Sequence, residues 1–276
     1  MIDEQRPANP VLRLFVWISF FGVILRFVDI WAIAAGYSLP RIGSVGFTLI
    51  FSVFSLLHAS SVLGWRRAVW FLVITVVVSW LFEVIGVATG LIYGHYHYSM
   101  QLGAKVGAVP LIIPLAWFMM IYASWIVARV LMQGAGNPTS RLSSIAVSLV
   151  ASAVMTSWDV VMDPAMAHQG TWVWEQGGLY FGVPFQNFVG WMLTTFTVYL
   201  LATVLLPRSE GSPRQAPLSR LYAGLPVLAY ALVAADRVLI ASVPELHVVA
   251  AFGMGFLAML AILRLILSPE PLSLEL

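Results

Sequence analysis

The chain has no cysteine among its 276 residues, and only 9% of them are charged against 61% that are hydrophobic. The missing thiols exclude disulfides, thiolate catalysis and cysteine-ligated iron–sulfur clusters. The scarcity of charge excludes an ordinary water-soluble domain, in which about a quarter of the residues are charged. Histidine is equally thin: there are five, and the only close pair is His95 with His97. Membrane di-iron hydroxylases and desaturases need repeated HxxxH or HxxHH sets, so no metal centre and no cofactor are expected. No strand is evident in the sequence, so no Walker loop or glycine fingerprint follows one. The net charge is only +2, and no basic cluster interleaved with aromatics points to nucleic acid.

What the chain has instead is long apolar runs. Its mean hydropathy is +0.92, and about eight stretches reach the roughly 20 residues that a helix needs to cross a bilayer. They fall near 11–35, 43–64, 68–90, 109–132, 141–163, 184–206, 219–240 and 245–267. The expected fold is all-α, a polytopic transmembrane bundle forming one integral-membrane domain over 1–276, with the lipid bilayer as its surroundings. The first run is too long for a signal-peptide core and lacks a small-residue cleavage site, so it reads as a retained span. The one polar linker is PRSEGSPRQAPLSR, 207–220. With eight spans, one side collects Arg6, Arg13, Arg66, Arg67, Arg129, Arg141, Arg208, Arg214, Arg220 and Arg264, and the other holds little beyond Arg41 and Lys105. The positive-inside rule then puts both termini in the cytoplasm, in a multi-pass protein of the plasma (inner) membrane.

That orientation brings two glycine-rich loops to the outer side, LIYGHYHYSMQLGAKVGA (91–108) and PAMAHQGTWVWEQGGLYFGV (164–183). Carboxylates lie just beneath them. Glu83 sits about two turns before the end of the third run, and Asp159 and Asp163, four apart on one helix face, occupy the last turn of the fifth, which Pro164 is expected to end. Gly86 and Gly90 leave the Glu83 face bare of bulk, so that a helix or a flat ligand can approach. Carboxylates at membrane depth are costly and mark pathways, proton relays or ligand sites. Arg26 with Asp29, and Asp236 beside Arg237, read as structural ion pairs, whereas Glu83 and Asp159 have no basic residue on their own helices at that depth. An unpaired acid away from water favours its neutral form and can act as a general acid. His58 and His247 read as satisfied core or interface groups. The runs beginning VPLIIPLAWF (109–118) and VPFQNFVGW (183–191) open alike, which suggests a weak repeat of helix pairs, three–four against five–six.

The blocks FEVIGVATGLIYGHYHYS, VPLIIPLAWFMMIY and WDVVMDPAMAHQGTWVWEQGGLYFGVPFQNFVGW resemble the carotenoid biosynthesis membrane proteins of the CruF type, the carotenoid 1,2-hydratases that include gamma-carotene and bisanhydrobacterioruberin hydratases. The likeness covers about residues 80–195 and is most specific from Asp163 to Trp191. It implies cofactor-free addition of water to the terminal isopropylidene double bond of an acyclic carotenoid end, of the lycopene or gamma-carotene type.

The residue inventory suits that chemistry. Protonation at C2 needs an acid in a dry site, and the tertiary cation at C1 is steadied by aromatic faces. The expected catalytic residues are Glu83, Asp159 and Asp163, with Glu83 as donor and an aspartate orienting water; the reverse assignment stays open. Tyr93, His95, Tyr96, His97, Trp117, Trp172, Trp174, Tyr180, Asn187 and Trp191 are the expected substrate-binding set. Two other classes also stay open. One is another isoprenoid enzyme: a cyclase remains possible, but the prenyl-elongating version lacks a DDxxD-type motif, for which DVVMD has the wrong spacing. The other is a proton-coupled transporter or a non-catalytic carotenoid- or lipid-binding protein, although polar residues crowd only one half of the membrane.

Overall fold

A computed structural model describes residues 9–37, 42–134, 140–206, 219–241 and 243–268. Arg6, Arg41, Arg208, Arg214 and most of the 207–220 linker, on which part of the orientation argument rests, lie outside the described residues.

Each apolar run becomes helix. The long elements are α1 (Pro10–Ala34), α2 (Ser44–Leu63), α3 (Trp65–Thr89), α4 (Ile113–Leu131), α5 (Arg141–His168) and α6 (Phe185–Leu205). The next run splits into α7 (Arg220–Ala223) and α8 (Leu225–Leu239), and the last is α9 (Glu245–Ala250), a π-helical turn (Ala251–Gly255) and α10 (Phe256–Leu267). Among the described residues, seven helical stretches are long and apolar enough to span a membrane, the last of them Glu245–Leu267. The exception among the eight runs is α8: its 15 residues reach only about 22 Å at 1.5 Å each, short of the ~30 Å hydrocarbon core. Gly224 interrupts that run between α7 and α8.

The helix ends are set by local chemistry. Gly64 turns the chain from α2 into α3 with φ at 82°, a value that favours glycine. Ser140 caps α5 by accepting from the Ser143 amide at 3.1 Å, as N-terminal serines do. Pro164 does not end α5. The helix runs through it to His168, where the amides of Gln169 and Gly170 close on the carbonyls of Ala165 and Ala167. Proline forfeits one backbone bond, but the packing of this helix end against its neighbours outweighs that loss. Asp163 and Asp159 therefore lie about one and a half and two and a half turns inside the helix end at His168.

Almost every residue of α4 is buried; it is the axis of the bundle, touching α2, α3, α5, α8 and α10. In contrast, α1 and the last span are largely exposed along apolar faces such as Phe15, Ile18, Phe252 and Ile266, as suits helices that meet lipid. The ends of α1, α3, α5 and α8 and the starts of α2, α4 and α6 share one end of the bundle. There the two loops contain strands that the sequence did not announce: β1 (Tyr96–Tyr98), β2 (Lys105–Val106), β3 (Val109–Pro110) and β4 (Trp172–Trp174). β1 pairs antiparallel with β4, and β2 with β3.

Candidate active site

The glycines at the end of α3 are used by the chain itself. The Tyr93 ring occupies the space at Gly86, where an added Cβ would stand 2.5 Å from its Cδ2. Gly90 takes the left-handed conformation that closes the helix, with the His95 ring against it. The start of α6 is stitched to this turn, since the Gln186 amide donates to the carbonyls of Gly90 (3.0 Å) and Leu91 (2.5 Å). The Trp174 indole donates to the Tyr93 carbonyl at 2.8 Å.

Register in the β1–β4 ribbon decides which side chains face inward. Tyr96 stands opposite Trp174, His97 opposite Val173 and Tyr98 opposite Trp172. Side chains alternate along a strand, so the two tyrosines and two tryptophans are buried while His97 and Val173 are exposed. The Lys105 ammonium donates to the Tyr98 carbonyl at 2.6 Å and pins the ribbon from outside.

Beneath the ribbon, the Glu83 carboxylate accepts three hydrogen bonds. Both tyrosine hydroxyls donate to Oε2, Tyr98 at 2.7 Å and Tyr96 in a shorter contact, and the Trp117 indole donates to Oε1 at 3.0 Å. Glu83 was expected to be unpaired; the sequence could not reveal donors that depend on strand register and on a neighbouring helix. Burial, and then the Glu83 charge, hold the Tyr93, Tyr96 and Tyr98 hydroxyls well above the usual phenol range. They stay protonated donors at neutral and mildly alkaline pH.

The second acid station is on α5. The Asn187 amide donates to Oδ2 of Asp159 (3.1 Å) and of Asp163 (2.5 Å). The two carboxyls thus meet at one amide nitrogen, and buried carboxyls held this close favour a state that keeps one proton between them. Asp159 Oδ1 is buried without a hydrogen-bond partner.

Between the stations lie aromatic faces. Trp117 and Trp191 stack with centroids 3.9 Å apart and planes 20° apart, and Trp158 meets Trp191 edge-on. A cavity of about 620 Å³ opens onto Glu83, Asp163, Asn187, Trp117, Trp191 and the inward faces of Tyr93, Tyr96, Tyr98, Trp172 and Trp174. Two lining features escaped the sequence reading: Tyr98, whose alternation with Tyr96 was the available signal, and the wall supplied by α1, α2 and α8.

Asp159, expected to be catalytic, is buried behind the cavity wall and does not line it, and three expected binding residues do not line it either. His95 is exposed against Gly90, His97 is exposed with Glu175 at 3.9 Å, and Tyr180 stands behind the α5 acids, where burial and then the Asp159 charge raise its hydroxyl above the ordinary phenol value. Among the described residues, no three histidine or carboxylate side chains converge as metal ligands would, so Glu83 and the aspartates form two separate stations.

Fold and cavity together define an integral membrane protein with an aromatic, acid-lined chamber at one end of a helical bundle. The family model for carotenoid biosynthesis proteins matches residues 43–262, and the chain belongs to that family. It is also similar to bisanhydrobacterioruberin hydratase of Haloarcula japonica, 32% identical over 137 residues, which cover 49% of this chain and 45% of that protein. The chain thus aligns with about half the length of this curated relative. No solved structure matches.

Proposed function

We propose that the protein is a carotenoid hydratase, a cofactor-independent hydro-lyase that adds water across the terminal 1,2 double bond of an acyclic carotenoid end. The observation that carries this reading is the shared cavity, onto which Glu83 and Asp163 open beside stacked tryptophans, with Asp159 joined to Asp163 through the Asn187 amide. Membership of the carotenoid biosynthesis family and the hydratase relative support it.

In this reading the Asp159–Asp163 pair gives its shared proton to C2, and the C1=C2 π electrons form the new C–H bond. The tertiary cation left at C1 rests against the Trp117–Trp191 faces, each worth about 0.5–2 kcal/mol. Water attacks C1, and Glu83 takes the proton released as the C–O bond forms. That proton balances the one delivered to C2 and returns to the pair before the next turnover, so no electrons leave the system. The geometry favours this order over Glu83 as donor because Glu83 already accepts from three groups, whereas the aspartates hold a proton between them.

Detergent-purified protein given an acyclic carotenoid anaerobically, in heavy-oxygen deuterated water with chelator, tests the reading. The product should be a tertiary alcohol with the solvent oxygen at C1 and one deuterium at C2. Oxygen dependence, or label from oxygen gas, would make it an oxygenase; no product with tight carotenoid binding would favour the non-catalytic alternative.

The site end of the bundle is assigned to the outer half of the inner membrane, with both termini cytoplasmic. Among the described residues, Arg13, Arg66, Arg67, Arg129, Arg141, Arg220 and Arg264 lie toward the opposite end, which supports that orientation. A reporter near Gln176 should read outside and one at the C-terminus cytoplasm; the opposite pattern would invert the assignment.

A further inference from the structure

The Tyr93 ring spans the gap between the helices that carry the two acid stations. A Cβ added at Gly86 on α3 would stand 2.5 Å from its Cδ2, and one at Gly190 on α6 would stand 2.7 Å from its Cδ1. These atoms lie on opposite edges of the ring, so one edge faces each helix. Glu83 stands three residues before Gly86, and Asn187, which holds both aspartates, stands three before Gly190. Three residues are about one helical turn. The ring also meets Tyr96 edge-on at 6.1 Å and Trp117 at 6.5 Å between centroids, and both of these donate to Glu83. Thr194 gives its hydrogen to the Gly190 carbonyl at 2.8 Å, which leaves the Tyr93 hydroxyl as donor to Thr194 at 2.7 Å. That hydroxyl is therefore spent on α6, and the residue is only 2% exposed.

We infer that Tyr93, seated between Gly86 and Gly190, is a positioning residue that sets the separation of the Glu83 station from the Asp159–Asp163 station. This rests on the hydratase reading and deepens it. Asp163, Asn187 and Trp191 belong to α5 and α6, whereas Glu83 is on α3. Moving α6 away from α3 would leave the proton donor beside the aromatic face that holds the double bond, and would carry the cation away from the base that serves the water. Water capture at C1 would then suffer more than proton delivery to C2. The fit leaves little slack, because a Cβ at Gly190 would also stand 2.5 Å from the Ile92 carbonyl oxygen. Either α6 or the turn carrying Tyr93 must yield to it. A ring that served packing alone would, when lost, weaken both steps together through the amount of folded protein; a spacer changes their ratio.

The test gives detergent-purified protein an acyclic carotenoid in deuterated water and reads two products: the alcohol, and recovered carotenoid that has gained deuterium at C2 because the cation collapsed back. Gly190→Ala and Tyr93→Leu should each raise the ratio of exchange to alcohol about 10-fold or more, since a misplacement of about 1 Å can cost on the order of 10²-fold in rate, and Tyr93→Phe, which keeps the ring, should stay within about twofold of wild type. The ratio does not depend on how much protein folds. Tyr93→Leu leaves both glycines in place, so it carries the test if Gly190→Ala does not reach the membrane. Loss of exchange and alcohol in equal proportion in Gly190→Ala and Tyr93→Leu would overturn the role, as would a rise in Tyr93→Phe as large as that in Tyr93→Leu. Absence of alcohol from the wild-type protein is a different result, and it removes the hydratase reading itself.

Discussion

The units α3–β1–α4 and α5–β4–α6 are built alike and finished differently. In each, a helix carrying a buried acid is followed by a short strand with two inward aromatics, then a Val-Pro step and a second helix with a tryptophan. Glu83 stands as far before Tyr96 as Asp159 stands before Trp172, and Trp117 and Trp191 keep the same spacing from Val109-Pro110 and Val183-Pro184. The strands pair with each other and the tryptophans stack on each other, so both contacts join corresponding parts of the two units. The difference lies in the polar groups. The first unit surrounds one carboxylate with donors, Tyr96, Tyr98 and Trp117. The second has an additional acid, Asp163, and an amide, Asn187, where the first unit has Ile113. One repeated frame thus yields a carboxylate ringed by three donors and a carboxyl pair joined through one amide, the difference on which the proposed proton transfers rest.

The largest expected effects come from removing either half of that asymmetry. Asp159→Asn and Asp163→Asn should each lower the hydration rate by about 10²–10⁴-fold, the usual weight of a positioned acid or base, and Glu83→Gln should fall in the same range. Membrane insertion and detergent-extracted yield should stay near wild type, because each change keeps size and hydrogen bonding. Rates near wild type in all three proteins would remove the acids from the mechanism.

Smaller losses should follow from trimming the donors around Glu83. Trp117→Phe keeps an aromatic face and deletes one N–H, and Tyr98→Phe deletes one O–H. A hydrogen bond to a charged group is worth about 1.5–3 kcal/mol, and part of that is felt by the transition state, so each kcat should drop by roughly 3- to 30-fold. Ionisation of Tyr96 or Tyr98 should not reduce activity below about pH 10: their hydroxyl pKa values are raised, so the donors are lost only as pH climbs past those raised values. A fall in rate near pH 8 that disappears in Tyr98→Phe would contradict the assignment.

A buried polar group outside both units gives the control. His58 on α2 has both ring nitrogens engaged, with the Tyr122 hydroxyl at 2.7 Å and the Tyr222 carbonyl at 2.8 Å, and Tyr222 donates to Ser61 at 2.9 Å. This network is closed and does not line the cavity. His58→Ala should cost about 1–3 kcal/mol of stability through its unsatisfied partners and leave turnover per folded molecule within about twofold. Thermal unfolding beside an activity assay separates the two effects.

Much of this frame was legible in the sequence. Apolar length alone located the helices, and the three acids and most of the aromatics were visible as exceptions in a greasy chain. The alternation Tyr-His-Tyr and Trp-Val-Trp carried a period-two signal that three-residue strands are too short to make decisive. Their pairing, and hence the donors at Glu83, depends on contacts between residues about 76 positions apart, which no local pattern reports. Pro164 misled for a similar reason, since a local helix-breaking preference was overridden by packing. The contribution of α1 and α8 to the cavity is tertiary too: Arg26 with Asp29 and Asp236 with Arg237 form the ion pairs expected of them, but the wall that Arg26, Asp236 and Arg237 share was out of view.

The division of labour between the two units is tested most directly by isotope exchange in the acid variants. In deuterated water, Glu83→Gln retains the proton-donating pair but lacks the base, so it should form the cation and let it collapse back, giving recovered carotenoid with deuterium at C2 and little alcohol. Asp163→Asn should return unlabelled carotenoid and no alcohol. Deuterium entering the carotenoid in Asp163→Asn but not in Glu83→Gln would contradict the account and make Glu83 the donor.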